Sequence, residues 1–126
     1  MDIREFIAKD RFAADAGCRL VSCADGEAVV EVELDERHLN AVGTAQGGLI
    51  FTLADTAFAA AANSGGQQTV SLSSTVSFLR PAKAGKLIAR ATTVSRTHST
   101  CCIDVLVTDA SDRLLAKVQC TGYSRS

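Results

Sequence analysis

The chain has 126 residues, of which 47% are hydrophobic and 21% charged, and its formal net charge is −1. That length builds one domain around one modest core, and the composition is that of a folded globular chain. Charge this close to zero excludes the basic field on which nucleic-acid affinity depends, and no run of about 18 apolar residues is present to cross a membrane.

The first stretch, MDIREFIAKDRFAADAG, carries charges at Asp2, Arg4 and Glu5 and no continuous apolar segment. It does not read as a signal peptide, and a cytoplasmic location is expected. Ile3, Phe6 and Ile7 fall at helical spacing and predict a short helix over about residues 2–14. CRLVSCADGEAVVEVELD then reads as two strands joined by a turn at Asp25-Gly26, with Ala28, Val30, Val32 and Leu34 on one face and Glu31 and Glu33 on the other. DERHLNAVGTAQGG has no period and three glycines, the marks of a loop. From Gly48 to about Asn63 the chain is alanine-rich without proline or internal glycine, which predicts a helix of about 16 residues, roughly 24 Å long. Asn63 and Gly65-Gly66 stop it.

The remainder reads as four strands. TVSLSSTVSFLR alternates Val70, Leu72, Val76 and Phe78 against serines and threonine, KLIARATTVSRT is rich in β-branched residues, and TCCIDVLVTD sets Cys101, Ile103, Val105 and Val107 on one face. Asp109 to Asp112 turns the chain into RLLAKVQCTGY. Two strands, one long apolar helix and four more strands make an α+β fold, most economically a curved antiparallel sheet wrapped around the helix as a single domain over residues 1–126. The five cysteines are odd in number and lack a C-x-x-C pair, so reduced, buried thiols are expected. His38 and His98 are the only histidines and neither has a partner at zinc-ligand spacing, so no metal is expected, and no phosphate-loop or dinucleotide motif calls for a cofactor.

One residue is out of place. Asp55 is the only acid between Asn40 and Gly66, and its helical neighbours are Phe51, Thr52, Phe58 and Ala59. An unpaired buried carboxylate is costly, so Asp55 either bonds to backbone or to Thr52 and Thr56, or faces a wet site where it acts as general base or nucleophile. Ahead of it, Gln46-Gly47-Gly48 opens the helix, where amide N–H groups lack intrahelical partners and the macrodipole is positive. Glycine lets a carbonyl approach such amides closely.

The pattern N-x5-QGG-x2-F-x-LAD-x-AFA-x-A-x-N, followed by FLRPAKAG and the strand order around them, resembles the hotdog-fold acyl-CoA thioesterases, and among them the phenylacetate-pathway (PaaI-like) branch. The resemblance spans about residues 18–123. It implies hydrolysis of an acyl-CoA, aryl or medium-chain, to free acid and CoA, with the CoA thioester as substrate and no other cofactor. It also implies a homodimer whose sheets join edge to edge, commonly a dimer of dimers and hence a homotetramer, with Asp55 of one chain facing the glycine amides of the other. Following the family, Gly47 is the main oxyanion donor and Gly48 the second, and Asn40 contacts water or thioester. Gln46 stands where this branch usually has His and cannot accept a proton at neutral pH, which leaves it hydrogen bonding to the thioester or orienting a glycine. His38 is a weak substitute for an imidazole there. Thr56 and Phe51 are expected to line the pocket, with Leu49 and Phe58 as further apolar wall, and Arg80, Lys83 and Arg96 to meet the phosphates of CoA. A non-catalytic acyl-CoA-binding module is the alternative that Gln46 favours; a hydratase is opposed by the lack of any His between Asp55 and His98.

Overall fold

The computed structural model describes residues 2–125. Two short helices, α1 (Ile3–Ala8) and α2 (Arg11–Ala16), precede strands β1 (Arg19–Ala24) and β2 (Glu27–Leu34); the long helix α3 (Gly47–Asn63) is followed by β3 (Gln68–Phe78), β4 (Gly85–Arg96), β5 (Thr100–Asp109) and β6 (Leu114–Arg125). The strands form one sheet in the order β1-β2-β4-β5-β6-β3, antiparallel at every pairing. This is the helix-in-sheet architecture that the sequence pattern implied.

The sheet buries one face on α3. Ala28, Val30, Val32 and Leu34 of β2, Leu87, Ala89 and Ala91 of β4, Cys101, Ile103, Val105 and Val107 of β5, and Ala116, Val118 and Cys120 of β6 are all buried. Alternate residues of each strand do this because successive side chains point to opposite faces. Leu53, Ala54, Ala57, Phe58, Ala60, Ala61 and Ala62 of α3 meet them, and the alanines let the helix axis lie close to the strands. The β1–β2 turn places both Asp25 (φ 53°) and Gly26 (φ 79°) in the left-handed region, the geometry that matches hairpin twist.

Two expectations are corrected. Residues 2–14 do not form one helix: Asp10 accepts a hydrogen bond from Ala13 N–H and starts α2 afresh, as Asp2 starts α1, because a short carboxylate satisfies a new helix's orphan amides better than it continues an old one. In β3, Val70 and Leu72 do not share the inner face with Val76. The pairing with β6 shifts register between Ser71 and Ser73, and a bulge reverses which face later residues occupy. Val70 and Leu72 are therefore exposed, whereas Val76 packs on the core.

The C-terminal end of α3 is tied down by polar groups. Asn63 donates to the carbonyl of Ala59 (2.8 Å) and accepts from Thr69 N–H (2.8 Å), and Arg96 donates to the carbonyl of Ala62 (2.7 Å). At that level Gly122 of β6 touches the helix: a Cβ there would sit 2.9 Å from both Cys101 Sγ and Phe58 Cζ. Gly122→Ala is expected to destabilise the fold by about 1–3 kcal/mol through overpacking, measured as a lower midpoint in urea unfolding with unchanged slope.

Candidate active site

Sheet and N-terminal helices leave the tip and one stripe of α3 uncovered: Gly47, Gly48, Phe51, Thr52, Asp55 and Ala59 are exposed or half-buried while the rest of the helix is almost wholly enclosed. Asp55 is thus neither sealed in the core nor freely solvated. Burial, and then the negative Asp10 carboxylate, push its pKa above the ordinary carboxylate value, with no hydrogen bond among the described residues to offset them. The two hydroxyls best placed to satisfy it are spent elsewhere. Thr52 Oγ1 donates to the carbonyl of Gly48 (2.7 Å) and Thr56 Oγ1 to that of Thr52 (2.7 Å). The structural role weighed for Asp55, an acid held by Thr52, Thr56 or backbone, is absent here.

At the start of the same helix, Gln46 is the N-cap. Its carbonyl and its side-chain Oε1 both accept from Leu49 N–H (2.9 and 3.2 Å), and its carbonyl also accepts from Ile50 N–H (3.2 Å). Among the described residues the N–H groups of Gly47 and Gly48 have no acceptor. These are the two orphan donors that the first turn of a helix leaves, at its positive end. Neither glycine has room for a side chain: Gln46 Oε1 lies 2.6 Å from where a Cβ on Gly48 would be, and the ring of Phe78 lies 3.2 Å from where one on Gly47 would be.

Clefts open on either side of this helix tip. A smaller one of about 320 Å³ is lined by Asn40, Thr44, Gly47, Ile50, Phe78 and Arg80. A larger one of about 730 Å³ lies between α2 and α3, with Phe12, His38, Gly48, Leu49, Phe51 and Thr52 among its walls. Asn40 reaches the first cleft but uses its side chain to close its own loop, accepting from Val42 and Thr44 N–H (3.1 and 3.0 Å) and donating to Thr44 Oγ1 (3.0 Å). Arg80 donates one N–H to the carbonyl of Leu114 (2.9 Å) and keeps others free. Lys83 is exposed beyond it.

Four expected residues lie elsewhere. Thr56 is buried, its hydroxyl turned to the helix backbone. Phe58 is core, packed under Gly122. Arg96 lies at the C-terminal end of α3, some 24 Å of helix away from Gly47 by rise per residue, where its cation complements the exposed carbonyls of that end. His38 is 5% exposed and both ring nitrogens are engaged, Nδ1 accepting from Asp35 N–H (3.0 Å) and Nε2 bonded to the Ala16 carbonyl (2.7 Å), which leaves no nitrogen for substrate. The five cysteines are free thiols; burial raises the pKa of Cys18 to about 11, with Asp10 adding to it, and burial also raises those of Cys23 and Cys120. A raised pKa makes these three poorer nucleophiles. Sequence reasoning passed over Asp10, Phe12 and Ser74, whose hydroxyl is buried without a partner among the described residues; only the aspartate before an apolar run at residue 10 signalled the cap that brings α2 beside α3.

The fold is that of the hotdog proteins, and on its central helix a carboxylate and, at the helix tip, amides without acceptors among the described residues lie open. Residues 42–116 match the family model of the Thioesterase superfamily, and the chain belongs to that family. The acyl-coenzyme A thioesterase PaaI of Escherichia coli is 42% identical over 76 residues, 60% of this chain and 54% of PaaI; its solved structure superposes with a TM-score of 0.93 at 31% identity, covering 97% of this chain and 89% of that one. A protein of Archaeoglobus fulgidus named for esterase activity is 31% identical over 123 residues, 96% of this chain and 80% of the relative. A Streptococcus pneumoniae protein of thioesterase type, solved with coenzyme A, superposes with a TM-score of 0.90 at 27% identity over 97% of this chain and 96% of that one.

The raised pKa of Asp55 fixes the sign of a stability effect. The folded protein holds this proton to higher pH than the unfolded chain, so stability is lost as pH rises from the unfolded carboxylate value through the folded one. Asp55→Asn is expected to melt at a higher temperature than wild type at pH 7, with the difference vanishing below about pH 4; thermal melts across that range measure it.

Proposed function

We propose that the protein hydrolyses acyl-CoA thioesters to a free acid and coenzyme A, with Asp55 as general base or nucleophile and the Gly47 amide, seconded by Gly48, as oxyanion donor. The observation that carries this reading is the pairing on one helix of a partly desolvated, unpartnered carboxylate with two unpartnered amides. As base, Asp55 takes a proton from water while the water oxygen bonds to the thioester carbon; as nucleophile, its own oxygen forms that bond. In either case the carbonyl electrons pass to an oxygen facing the helix tip, and collapse of that intermediate expels the thiolate, giving the free acid directly or, on the nucleophilic route, an Asp55 anhydride that water then hydrolyses to the free acid and the restored carboxylate. A raised pKa suits a base, whose efficiency improves as its pKa approaches working pH. Arg80 and Lys83 serve the CoA phosphates beyond the Gly47 cleft, and Phe51 serves the acyl side.

Spacing along α3 supports a site shared between two copies. Asp55 and Gly48 are seven residues apart, about 10.5 Å of helical rise. A carbonyl in contact with both an attacking oxygen and an amide spans less, since each contact is only about 3 Å. A second copy would bring its own helix tip to this Asp55. The sheet edges favour β3 as the seam. β1 is a six-residue edge whose carbonyls at Leu20 and Val21 are engaged by Arg4, whereas β3 runs eleven residues with Val70 and Leu72 exposed. A long open edge of this kind is a pairing surface.

Release of free thiol from a panel of acyl-CoAs tests the chemistry. Wild type is expected to turn over with an acid limb in kcat/KM above the ordinary carboxylate pKa, and Asp55→Asn to lose about 10²-fold or more; equal, slow rates for the two would make the protein a binding module instead. Light scattering tests the assembly: no stable monomer is expected at working concentration, and a monomer with full turnover would refute the shared site.

A further inference from the structure

The larger cleft has walls that are tied together. Near the end of α2, the carbonyls of Asp15 and Ala16 are held by Arg37 and by His38 Nε2, and the His38 carbonyl accepts from Gln46 N–H (2.9 Å). A buried histidine thus couples α2 to the residue that caps α3, so the gap between the helices is built rather than incidental. Its about 730 Å³ lies within the range of small-molecule sites. Gly48, whose N–H is free, forms part of its lining, and two rings face it, Phe51 from α3 and Phe12 from α2. Phe12 is 74% exposed, a large apolar side chain with nothing in the protomer to cover it. The second cleft, on the Gly47 side, is smaller and sets Asn40, Thr44 and the Arg80 cation beside Phe78, Leu79 and Pro81, whereas the larger one adds Asp15 and Arg37 to its rings.

Resting on the thioesterase reading above, we propose that the helix tip divides the substrate: the acyl group lies in the α2–α3 cleft with Phe12 as its outer wall, while the CoA carrier leaves through the Asn40–Arg80 side. Phe12 is then a specificity-determining residue, setting how much of a bulky acyl group is removed from water. Leu49 and Phe51 form the inner wall, and the Gly48 amide marks the point where the carbonyl turns from one cleft into the other. Because α2 is anchored through His38, the wall stands at a fixed distance from that amide, and acyl groups that stop short of the ring gain nothing from it.

Calorimetric titration with coenzyme A and with a non-hydrolysable CoA thioether bearing a phenylalkyl group tests this without relying on turnover. Wild type is expected to bind the thioether more tightly than CoA alone. Phe12→Ala should remove about tenfold of that preference and Phe12→Leu a smaller part, as expected for one aromatic contact, with CoA affinity and the assembly size by light scattering as controls. A wild type without the preference, or a preference that survives Phe12→Ala, overturns the proposal; so does a Phe12→Ala variant that changes assembly size alone. A Phe12-dependent preference in a wild type that hydrolyses no acyl-CoA would overturn the thioesterase reading and leave the acyl cleft standing.

Discussion

The whole structure depends on burying one helix that has almost no polar face. α3 presents Leu53, Ala54, Ala57, Phe58, Ala60 and Ala61 to a sheet whose inner residues are nearly all Val, Leu, Ile, Ala and Cys, and hydrophobic burial is the dominant favourable term in holding such a pair together. Polar groups act only at the helix ends. Gln46 caps the start, linked to His38, while Asn63, Thr69 and Arg96 close the finish. With both ends fixed and most sides enclosed, the helix has one strip left to offer, and Gly48, Phe51, Thr52 and Asp55 lie along it.

That geometry explains how an acid persists in a greasy segment. Asp55 is charged at a cost, because burial and Asp10 both oppose its ionisation and the nearby threonines give their hydroxyls to the backbone. Groups with perturbed acidity and no structural partner concentrate where chemistry is done. The same helix leaves the Gly47 and Gly48 amides without acceptors among the described residues at its first turn, ahead of that acid, and this pair of features underlies the proposed function. Edge strand β3 is the longer of the two sheet edges and bears exposed Val70 and Leu72.

Gln46 takes on a different meaning once its contacts are known. At the position where the family resemblance implies an imidazole, its side chain accepts from Leu49 N–H and caps the first turn of α3. Its place in the chain is occupied by a capping function, so under the proposed function the acid–base duty falls on Asp55. The clefts flanking the helix tip differ, the larger walled by Phe12 and Phe51 with Arg37 and Asp15 also in its lining, the smaller carrying Asn40 and Arg80. A substrate with an apolar head and an anionic tail has a natural direction across them.

Much of this was legible in the residues themselves. Alternation in β2 and β5, the Asp25-Gly26 turn and the alanine-rich run ending at Asn63 are local signals, set by side-chain period, φ preference and helix propensity, and each marked its element; Asp55 stood out because a charge in an apolar run is chemically conspicuous. What the chain alone could not reveal were facts of distance. A bulge at Ser71–Ser73 reversed the outward face of β3, Asp10 split the N-terminal helix, Arg96 went to the C-terminal end of α3, and His38 was consumed by two backbone groups. Register, capping partners and the meeting of α2 with α3 depend on groups far apart along the chain, and only packing in three dimensions decides which of them touch.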